Sequence, residues 1–241
     1  ALPIWASATR LDTPQRAQAA LQTLGPTFIK LGQLLSTRVD LFPPAWIAAF
    51  EQLQDEVEPV EYARLHAQLC TDLGQPPETA FAYFATTPLA VASIAQVHRA
   101  RLHDGTAVVV KIRRPEIETT VAADLRLLQR LAEIAEHHLS EFADYHLPDL
   151  VEQFRRSITL ELDLAAECRH AERFAGQLAQ HQTVDPPAVV VPTVYWAFTG
   201  RRVNVQAEIK GIPSRDLEAV NAAGLDRHAL AVAVAVGEDF G

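Results

Sequence analysis

The hydrophobic pattern of this chain changes its period twice, and that change limits the folds that it can adopt. Apolar residues recur at helical spacing through about the first 75 residues, with prolines standing where helices would begin. From Leu89 to Ile112 apolar and polar residues instead alternate around Asp104-Gly105, which predicts a β-hairpin. Helical spacing returns after Pro115. We therefore expect an α+β fold rather than a regular βαβ array.

The pattern also predicts the approximate bounds of individual elements. Helices are expected over 13–24, 27–37, from 43 onward, 65–73, 121–139 and 147–178, the last stretch being long enough for two helices. Two further β-rich segments are expected over 189–195 and 202–209.

Charge and cysteine content exclude several classes of function. Lys and Arg number 21 against 30 Asp and Glu, a formal net charge of −9, so we expect no nucleic-acid partner. The apolar run from Ala229 to Gly237 is far shorter than the roughly 20 residues that cross a bilayer. Cys70 and Cys168 form no CxxC pair, which predicts buried thiols in a reducing compartment. The histidines show no ligand spacing, so no residue of the chain is assigned to a metal.

A stretch of small residues, Pro88 to His98, precedes the hairpin whose second strand carries Lys111. Protein kinases use a strand-end lysine, one hairpin after a small-residue turn, to hold the α- and β-phosphates of ATP. Such a turn must be small so that backbone N–H groups can approach the phosphates. Taken alone, the lysine is a weak signal, because most strand-end lysines only extend into solvent.

A phosphate-binding lysine needs a carboxylate partner from a helix beside its strand. Glu161, Asp163 and Glu167 are the candidates, and Asp163 and Glu167 share a helix face because they are four residues apart. The same acidic residues, with basic neighbours alongside, would equally form a solvated charged face.

Four motifs in this order resemble those of the UbiB/AarF atypical-kinase family, whose members are linked to ubiquinone biosynthesis. Residues 28–33 look like its KxGQ motif, and residues 88–98 look like its alanine-rich loop. Residues 108–111 look like its strand lysine. Glu161-Leu162-Asp163 looks like its ExD motif, with Glu167 where the helix glutamate that pairs with the lysine should stand.

The resemblance implies roles for the matched residues. Lys111 would neutralise phosphate charge and be positioned by Glu167. The KxGQ helix would fold over the nucleotide cleft, and its Lys30 would meet the ExD carboxylates. It would occupy the place of a peptide, so a small or lipid-like substrate, or ATP hydrolysis coupled to a partner, is expected rather than protein phosphorylation. The implied catalytic residues are Lys30, Gln33, Lys111, Glu161, Asp163 and Glu167, and the implied nucleotide contacts are Ala90, Val91, Ala92, Ser93, Lys111, Ala207 and Ile209.

The resemblance also implies a protein-kinase-like fold with a small antiparallel-sheet N-lobe. We expect a helical KxGQ extension over 1–80, the N-lobe with inserted helices over 81–210, and the start of a helical C-lobe over 211–241. ATP and Mg²⁺ are the implied cofactors, with the magnesium ligands beyond Gly241. The implied partners are a lipid or quinone-precursor substrate and quinone-biosynthesis proteins, at a cytoplasmic site in peripheral contact with the inner membrane.

Three departures from the family pattern qualify these expectations. Val91 is a larger, β-branched residue within the alanine-rich loop, and Ala207 stands where the hinge usually has an acidic residue. No HxD catalytic loop occurs in the chain, and we interpret Asp239-Phe240-Gly241 as a coincidental DFG. We therefore expect an active parent enzyme of which this piece alone is inactive. The alternative is a catalytically inactive, kinase-like nucleotide-binding scaffold.

Overall fold

The computed structural model describes residues 13–53, 57–138, 146–181, 189–213 and 216–228. They form two compact units. The first unit comprises the described residues of Ala1–Gln68, Thr86–Val97 and Ile112–Leu162, and the second comprises those of Leu69–Ala85, His98–Lys111 and Asp163–Gly241. The Asp239-Phe240-Gly241 triplet lies outside the described residues.

Helices make up most of the described chain. They are α1 (Thr13–Leu24), α2 (Pro26–Ser36), α3 (Pro44–Glu51), α4 (Tyr62–Leu73), α5 (Pro77–Ala80), α6 (Ile117–His138), α7 (Leu147–Glu161), α8 (Leu164–His181) and α9 (Leu217–Ala222). Proline occupies the first turn of α2, α3 and α7, where its missing N–H removes no helical hydrogen bond. The stretch predicted to hold two helices, 147–178, contains α7 and α8, which confirms that prediction.

The strands are short, and a hairpin dominates them. They are β1 (Tyr83–Phe84), β2 (Ala90–Val91), β3 (Ala95–Arg101), β4 (Ala107–Arg113) and β5 (Val203–Ala207). The turn between β3 and β4 contains Gly105 at φ 91°, a backbone conformation that favours glycine. The Asp104 carboxylate accepts a hydrogen bond of 2.9 Å from the Thr106 N–H. The predicted hairpin is therefore confirmed.

The sheet has five strands in the order β1–β3–β4–β5, with β2 paired to β3 off this path. Tyr83 of β1 is paired with Arg101 of β3 in antiparallel register. Val108 and Val110 of β4 are completely buried. Because side chains alternate along a strand, Lys111 projects from the opposite face of the sheet.

The first unit is held together by two apolar clusters that meet at α2. Leu31 and Leu34 pack against a cluster that contains Phe154 of α7. On another face of α2, Ile29 packs with Phe50 in a cluster that also includes Leu53 and Trp46. Because apolar residues occupy two faces of α2, the helix is held between these clusters rather than lying on a single core.

One predicted strand is wrong. The β-rich segment 189–195 forms no strand, and among the described residues its pairing is limited to an isolated bridge between Val194 and Gln206. Pro192 lies in the middle of this segment, and a proline there removes the N–H that a strand would donate. A short 3₁₀ helix, Trp196–Phe198, follows. Conversely, β1 and β2 were not predicted, because two-residue strands are too short to show a period.

The mixture of helices with a small antiparallel sheet confirms the α+β class predicted from the sequence. Within the described ranges, none of the helices combines the length and the apolar character that crossing a bilayer would need.

Candidate functional site

The predicted lysine and its glutamate partner form an ion pair in the second unit. The Lys111 Nζ donates hydrogen bonds of 2.8 Å and 3.0 Å to the two carboxylate oxygens of Glu167. Lys111 lies on β4, and Glu167 lies in the first turn of α8. The Lys111 side chain is 32% exposed and that of Glu167 is 49% exposed. The ammonium is thus held in place while it stays accessible to a further anion.

Cys168 follows Glu167 and points into the protein. Its side chain is completely buried. Burial, reinforced by the negative charges of Glu167 and Glu172, raises the pKa of the Cys168 thiol to about 11. The Gln206 amide lies 4.0 Å from its sulfur. Cys168 therefore fills the core as the sequence predicted, whereas Cys70 is only partly buried. The raised pKa shows that the Cys168 thiol is not an activated nucleophile.

Asp163, the last residue of the ExD motif, caps α8. Its carboxylate Oδ1 accepts a hydrogen bond of 2.9 Å from the Ala166 N–H. Its Oδ2 lies 3.5 Å from the Arg201 Nε and 3.9 Å from a terminal nitrogen of Arg169. Asp163 therefore lies just before α8 rather than on a face of the helix with Glu167, and the two carboxylates have different partners.

The first unit contains the other predicted lysine, again beside a carboxylate. The Lys30 Nζ on α2 lies 3.4 Å from a carboxylate oxygen of Glu161, which ends α7. The Lys30 side chain is 19% exposed and that of Glu161 is 41% exposed. The KxGQ lysine and the ExD glutamate, far apart in sequence, thus meet in space.

Gly32 and Gln33 set the position of α2 in the first unit. A Cβ on Gly32 would overlap the Leu53 Cδ1, so only glycine allows α2 to approach Leu53 this closely. The Gln33 side-chain amide donates a hydrogen bond of 3.3 Å to the Leu53 carbonyl. Gly32 therefore allows the KxGQ helix to pack closely against Leu53, and Gln33 bonds the helix to the backbone of the same residue.

A cleft of about 200 Å³, open to solvent, lies between α2 and α7 beside the Lys30–Glu161 pair. Three apolar residues and four polar ones line it: Leu34, Phe154, Ile158, Lys30, Gln33, Ser157 and Glu161. Ser157 was not predicted, although its position four residues before Glu161 places it on the same helix face. The cleft combines an apolar wall with charged groups at one side, as binding sites for small organic molecules do.

The alanine-rich loop, also in the first unit, is a tight hairpin. Ala90 and Val91 form β2, which pairs with Val97 and Gln96 of β3. The Ala92 N–H donates a hydrogen bond of 2.8 Å to the Ala95 carbonyl and is therefore engaged within the hairpin. In the glycine loops of protein kinases such N–H groups face the phosphates, so the Ala92 N–H differs from them in being already bonded.

Ser93 turns the chain at the tip of this hairpin. It is completely buried, and its hydroxyl has no hydrogen-bond partner among the residues that the structure describes. A buried hydroxyl without a partner costs free energy.

The residues predicted to hold the adenine lie at the end of β5. The Ala207 N–H donates to the Thr193 carbonyl at 2.9 Å, which leaves its carbonyl as the group that could accept a hydrogen bond from a ligand. Glu208, the next residue, forms an ion pair of 2.8 Å with Arg99. Ile209 follows and is 56% exposed.

These residues fit a nucleotide better than they fit a metal ion. A fixed and accessible ammonium suits a phosphate group. Within the part of the chain that the structure describes, no group of three or more His, Cys, Asp or Glu side chains could hold a metal. We therefore assign no magnesium ligand to these residues.

Arg201 also belongs to this region, although the sequence motifs do not include it. Its guanidinium lies beside the Asp163 carboxylate, and its carbonyl accepts a hydrogen bond of 3.1 Å from the Leu164 N–H. No pattern in the sequence singles out Arg201, because its partner Asp163 lies 38 residues away along the chain. Arg202 pairs with Asp72.

Comparison with known proteins gives three findings. The ABC1 atypical kinase-like domain model matches residues 52–236, which is more than half of the chain. A protein named "Probable protein kinase UbiB" from Xylella fastidiosa (strain M23) is 41% identical over 216 residues, which cover 90% of this chain and 38% of that protein. Another of the same name from Cellvibrio japonicus (strain Ueda107) is 39% identical over 222 residues, covering 92% of this chain and 39% of the relative.

A solved structure is also similar. It is titled "The complex structure of Rv3197-erythromycin from Mycobacterium tuberculosis" and has a TM-score of 0.54 at 29% sequence identity. The similarity covers 77% of this chain and 45% of that one. The chain thus spans about four tenths of the length of the curated relatives described above.

Proposed function

Because this chain belongs to the ABC1 atypical kinase-like family, we propose that it forms the ATP-binding part of a UbiB-type atypical kinase or ATPase that supports ubiquinone biosynthesis. The membership confirms the UbiB/AarF resemblance drawn from the four motifs, together with the kinase-like fold. The proposal concerns the reaction, the substrate and the residues that serve them.

The Lys111–Glu167 ion pair carries the proposal. An ammonium that a carboxylate holds at 2.8 Å cannot swing freely into solvent, so it is preorganised for a second anion. ATP, when bound, supplies the phosphoryl group and its leaving group. Lys111 would bind the α- and β-phosphates, and Glu167 would hold the lysine in position. In the partly screened surroundings of this pair, each charge stabilises the other more than it would in bulk water.

The remaining nucleotide contacts are proposed from the hairpin loop and the end of β5. Ala90, Val91, Ala92 and Ser93 are proposed to lie beside the phosphates as a compact loop, whose contribution is its small side chains rather than the Ala92 N–H, which is engaged with the Ala95 carbonyl. The carbonyl of Ala207 would accept a hydrogen bond from the adenine amino group. Ile209 would pack against the ring.

The cleft beside Lys30 suggests where a second substrate would lie. Its apolar wall suits a lipid-like or quinone-precursor molecule, and Lys30, Gln33 and Glu161 supply polar contacts at its edge. Glu161, held near the Lys30 ammonium, would orient a substrate hydroxyl or accept its proton. We also propose that the protein makes peripheral contact with the inner membrane and that quinone-biosynthesis proteins are its partners. We further propose that the helical extension ends near residue 80 and that the N-lobe ends near residue 210.

Nucleotide binding by Lys111 is tested in the protein that carries this chain, with a fluorescent ATP analogue as the probe. Removing a charged hydrogen-bond donor costs about 1.5–3 kcal/mol, so Lys111→Met should weaken binding about 10- to 100-fold. Arg130→Met, which removes an exposed cation from α6, is the matched control and should bind the analogue as the native protein does. Equal affinity of Lys111→Met and the native protein would overturn the assignment.

Turnover separates an enzyme from a scaffold. ATP consumption is measured with and without a lipid-like phenol, in the native protein and in Lys30→Met. Consumption that the Lys30 substitution changes, while nucleotide affinity stays native, supports a role for Lys30 in the reaction. Nucleotide binding without any consumption supports the alternative of an inactive nucleotide-binding scaffold.

A further inference from the structure

Asp163 occupies the N-cap position of α8, the helix that presents Glu167. Its side chain accepts a hydrogen bond of 2.9 Å from the Ala166 N–H. Its backbone carbonyl accepts hydrogen bonds of 3.0 Å and 3.2 Å from the Ala166 and Glu167 N–H groups. The backbone of Glu167 is therefore fixed by the same residue that caps the helix.

Arg201, which lies shortly before β5, contacts both the capping residue and the first residue of α8. Its Nε lies 3.5 Å from the Asp163 Oδ2, and its carbonyl accepts a hydrogen bond of 3.1 Å from the Leu164 N–H. The neighbouring Arg202 pairs with Asp72, whose side chain is only 10% exposed. Two adjacent arginines thus connect the start of α8 and the end of α4 to the segment that leads into β5.

The position of Glu167 depends on this attachment. Glu167 lies only four residues after the cap, within the first turn, where helices fray when the cap is lost. Fraying would move the Glu167 carboxylate away from the Lys111 ammonium, because Lys111 stays on its strand. We infer that Asp163, clamped by Arg201, is a positioning residue that sets Glu167 against Lys111, so the ExD aspartate acts through α8. This inference rests on the proposed nucleotide-binding role of Lys111.

A mutant cycle on nucleotide affinity tests the inference in the protein that carries this chain. Asp163→Ala should weaken binding of the fluorescent ATP analogue about fivefold, the change that a lost N-cap corresponds to. In a Glu167→Gln background the same substitution should change affinity less than about twofold, because the group that it positions is already disabled. Asp163→Asn, which keeps a capping oxygen, should restore most of the affinity. Equal losses in both backgrounds would overturn the inference.

A matched control separates positioning from general stability. Asp216 caps α9 in the same way, since its carboxylate accepts a hydrogen bond of 3.0 Å from the Ala219 N–H. Asp216→Ala should lower the melting temperature by a similar amount without changing nucleotide affinity. If it weakens nucleotide binding as much as Asp163→Ala does, the effect is one of stability and the inference fails.

A second readout needs no nucleotide. The acylation rate of the Lys111 amine by acetyl N-hydroxysuccinimide ester is followed by mass spectrometry. Releasing the amine from its ion pair should speed acylation about two- to fivefold in Glu167→Gln and in Asp163→Ala, and not in Asp163→Asn. Arg201→Met serves in place of Asp163→Ala if that variant does not fold.

The two assays distinguish the possible failures. If the native protein does not bind the nucleotide probe, the proposed function fails while the acylation rates still decide whether Asp163 positions Glu167. If Glu167→Gln speeds acylation of Lys111 and neither Asp163→Ala nor Arg201→Met does, the positioning role is refuted.

Discussion

Gly32→Ala should destabilise the protein although alanine is the better helix former. A Cβ at this position would overlap the Leu53 Cδ1 and lie 2.9 Å from the Leu21 Cδ1. Leu53 is only 4% exposed, so its side chain has little room to move aside. Forcing extra volume into such a core costs about 1–3 kcal/mol, and we expect the upper end here. Because alanine favours a helix over glycine by about 1 kcal/mol, the free energy of unfolding should fall by a net of about 2 kcal/mol.

Gly176→Ala is the matched control for this prediction. Gly176 also lies within a helix, α8, but no atom lies within 4 Å of the Cβ that alanine would add. The substitution should therefore stabilise the protein by about 0.5–1 kcal/mol, as alanine does in open helical positions. The same chemical change should thus have opposite signs at the two glycines.

Thermal unfolding measures both effects. For a chain of this size about 1 kcal/mol shifts the melting temperature by about 2–4 °C, so Gly32→Ala should lower it by about 4–8 °C and Gly176→Ala should raise it by about 1–4 °C. Adding Leu53→Val to Gly32→Ala should cost less than the sum of the two single substitutions, because it removes the overlapping methyl group. If Gly32→Ala stabilises the protein as Gly176→Ala does, the close approach of α2 to Leu53 is refuted.

Three further substitutions or reactions test other contacts. The buried guanidinium of Arg113 donates a hydrogen bond of 2.7 Å to the Leu162 carbonyl, so Arg113→Ala should lower the free energy of unfolding by about 2 kcal/mol in urea titrations; an unchanged midpoint would contradict this. Burial lowers the pKa of His98 below its ordinary value near 6.5, so the unfolded chain binds a proton that the folded one excludes. Stability should therefore fall as the pH drops below about 6.5, by at most about 1.4 kcal/mol per pH unit, and His98→Gln should flatten this slope in urea titrations at pH 5 to 7. Burial of Cys168 should slow its alkylation by iodoacetamide at pH 8 on the order of a hundredfold relative to the unfolded protein, and equal rates would refute its burial.

Much of the local structure could be predicted because it depends on neighbours in sequence. The helices over 13–24 and 26–36 follow from apolar spacing and from prolines at their starts. The hairpin around Asp104-Gly105 follows from alternation and from the conformational freedom of Gly105. The segment 189–195 shows the limit of this reasoning, since valine content favoured a strand while Pro192 removed a donor that the ladder needed.

The partners of the charged residues could not be read from spacing alone. Asp163 and Glu167 are four residues apart, a spacing that predicts one shared helix face, so the sequence offered either one to Lys111. In the structure Glu167 receives the ammonium, while Asp163 turns to the Ala166 N–H and to Arg201. A carboxylate at the start of a helix has unsatisfied N–H groups within reach, so Asp163 caps α8 instead of pairing with Lys111.

The sequence by itself determined the long helices and the hairpin and their order, because helical and strand periods, caps and turns act over a few residues. The resemblance to a family then indicated which residues are candidates for the functional site, including Lys30 and Glu161. Only the tertiary structure decided the contacts between residues far apart in the chain: the Lys30–Glu161 and Lys111–Glu167 pairs, and the approach of Gly32 to Leu53. Such contacts depend on how whole elements pack, and packing is decided by the joint fit of many side chains rather than by any local pattern.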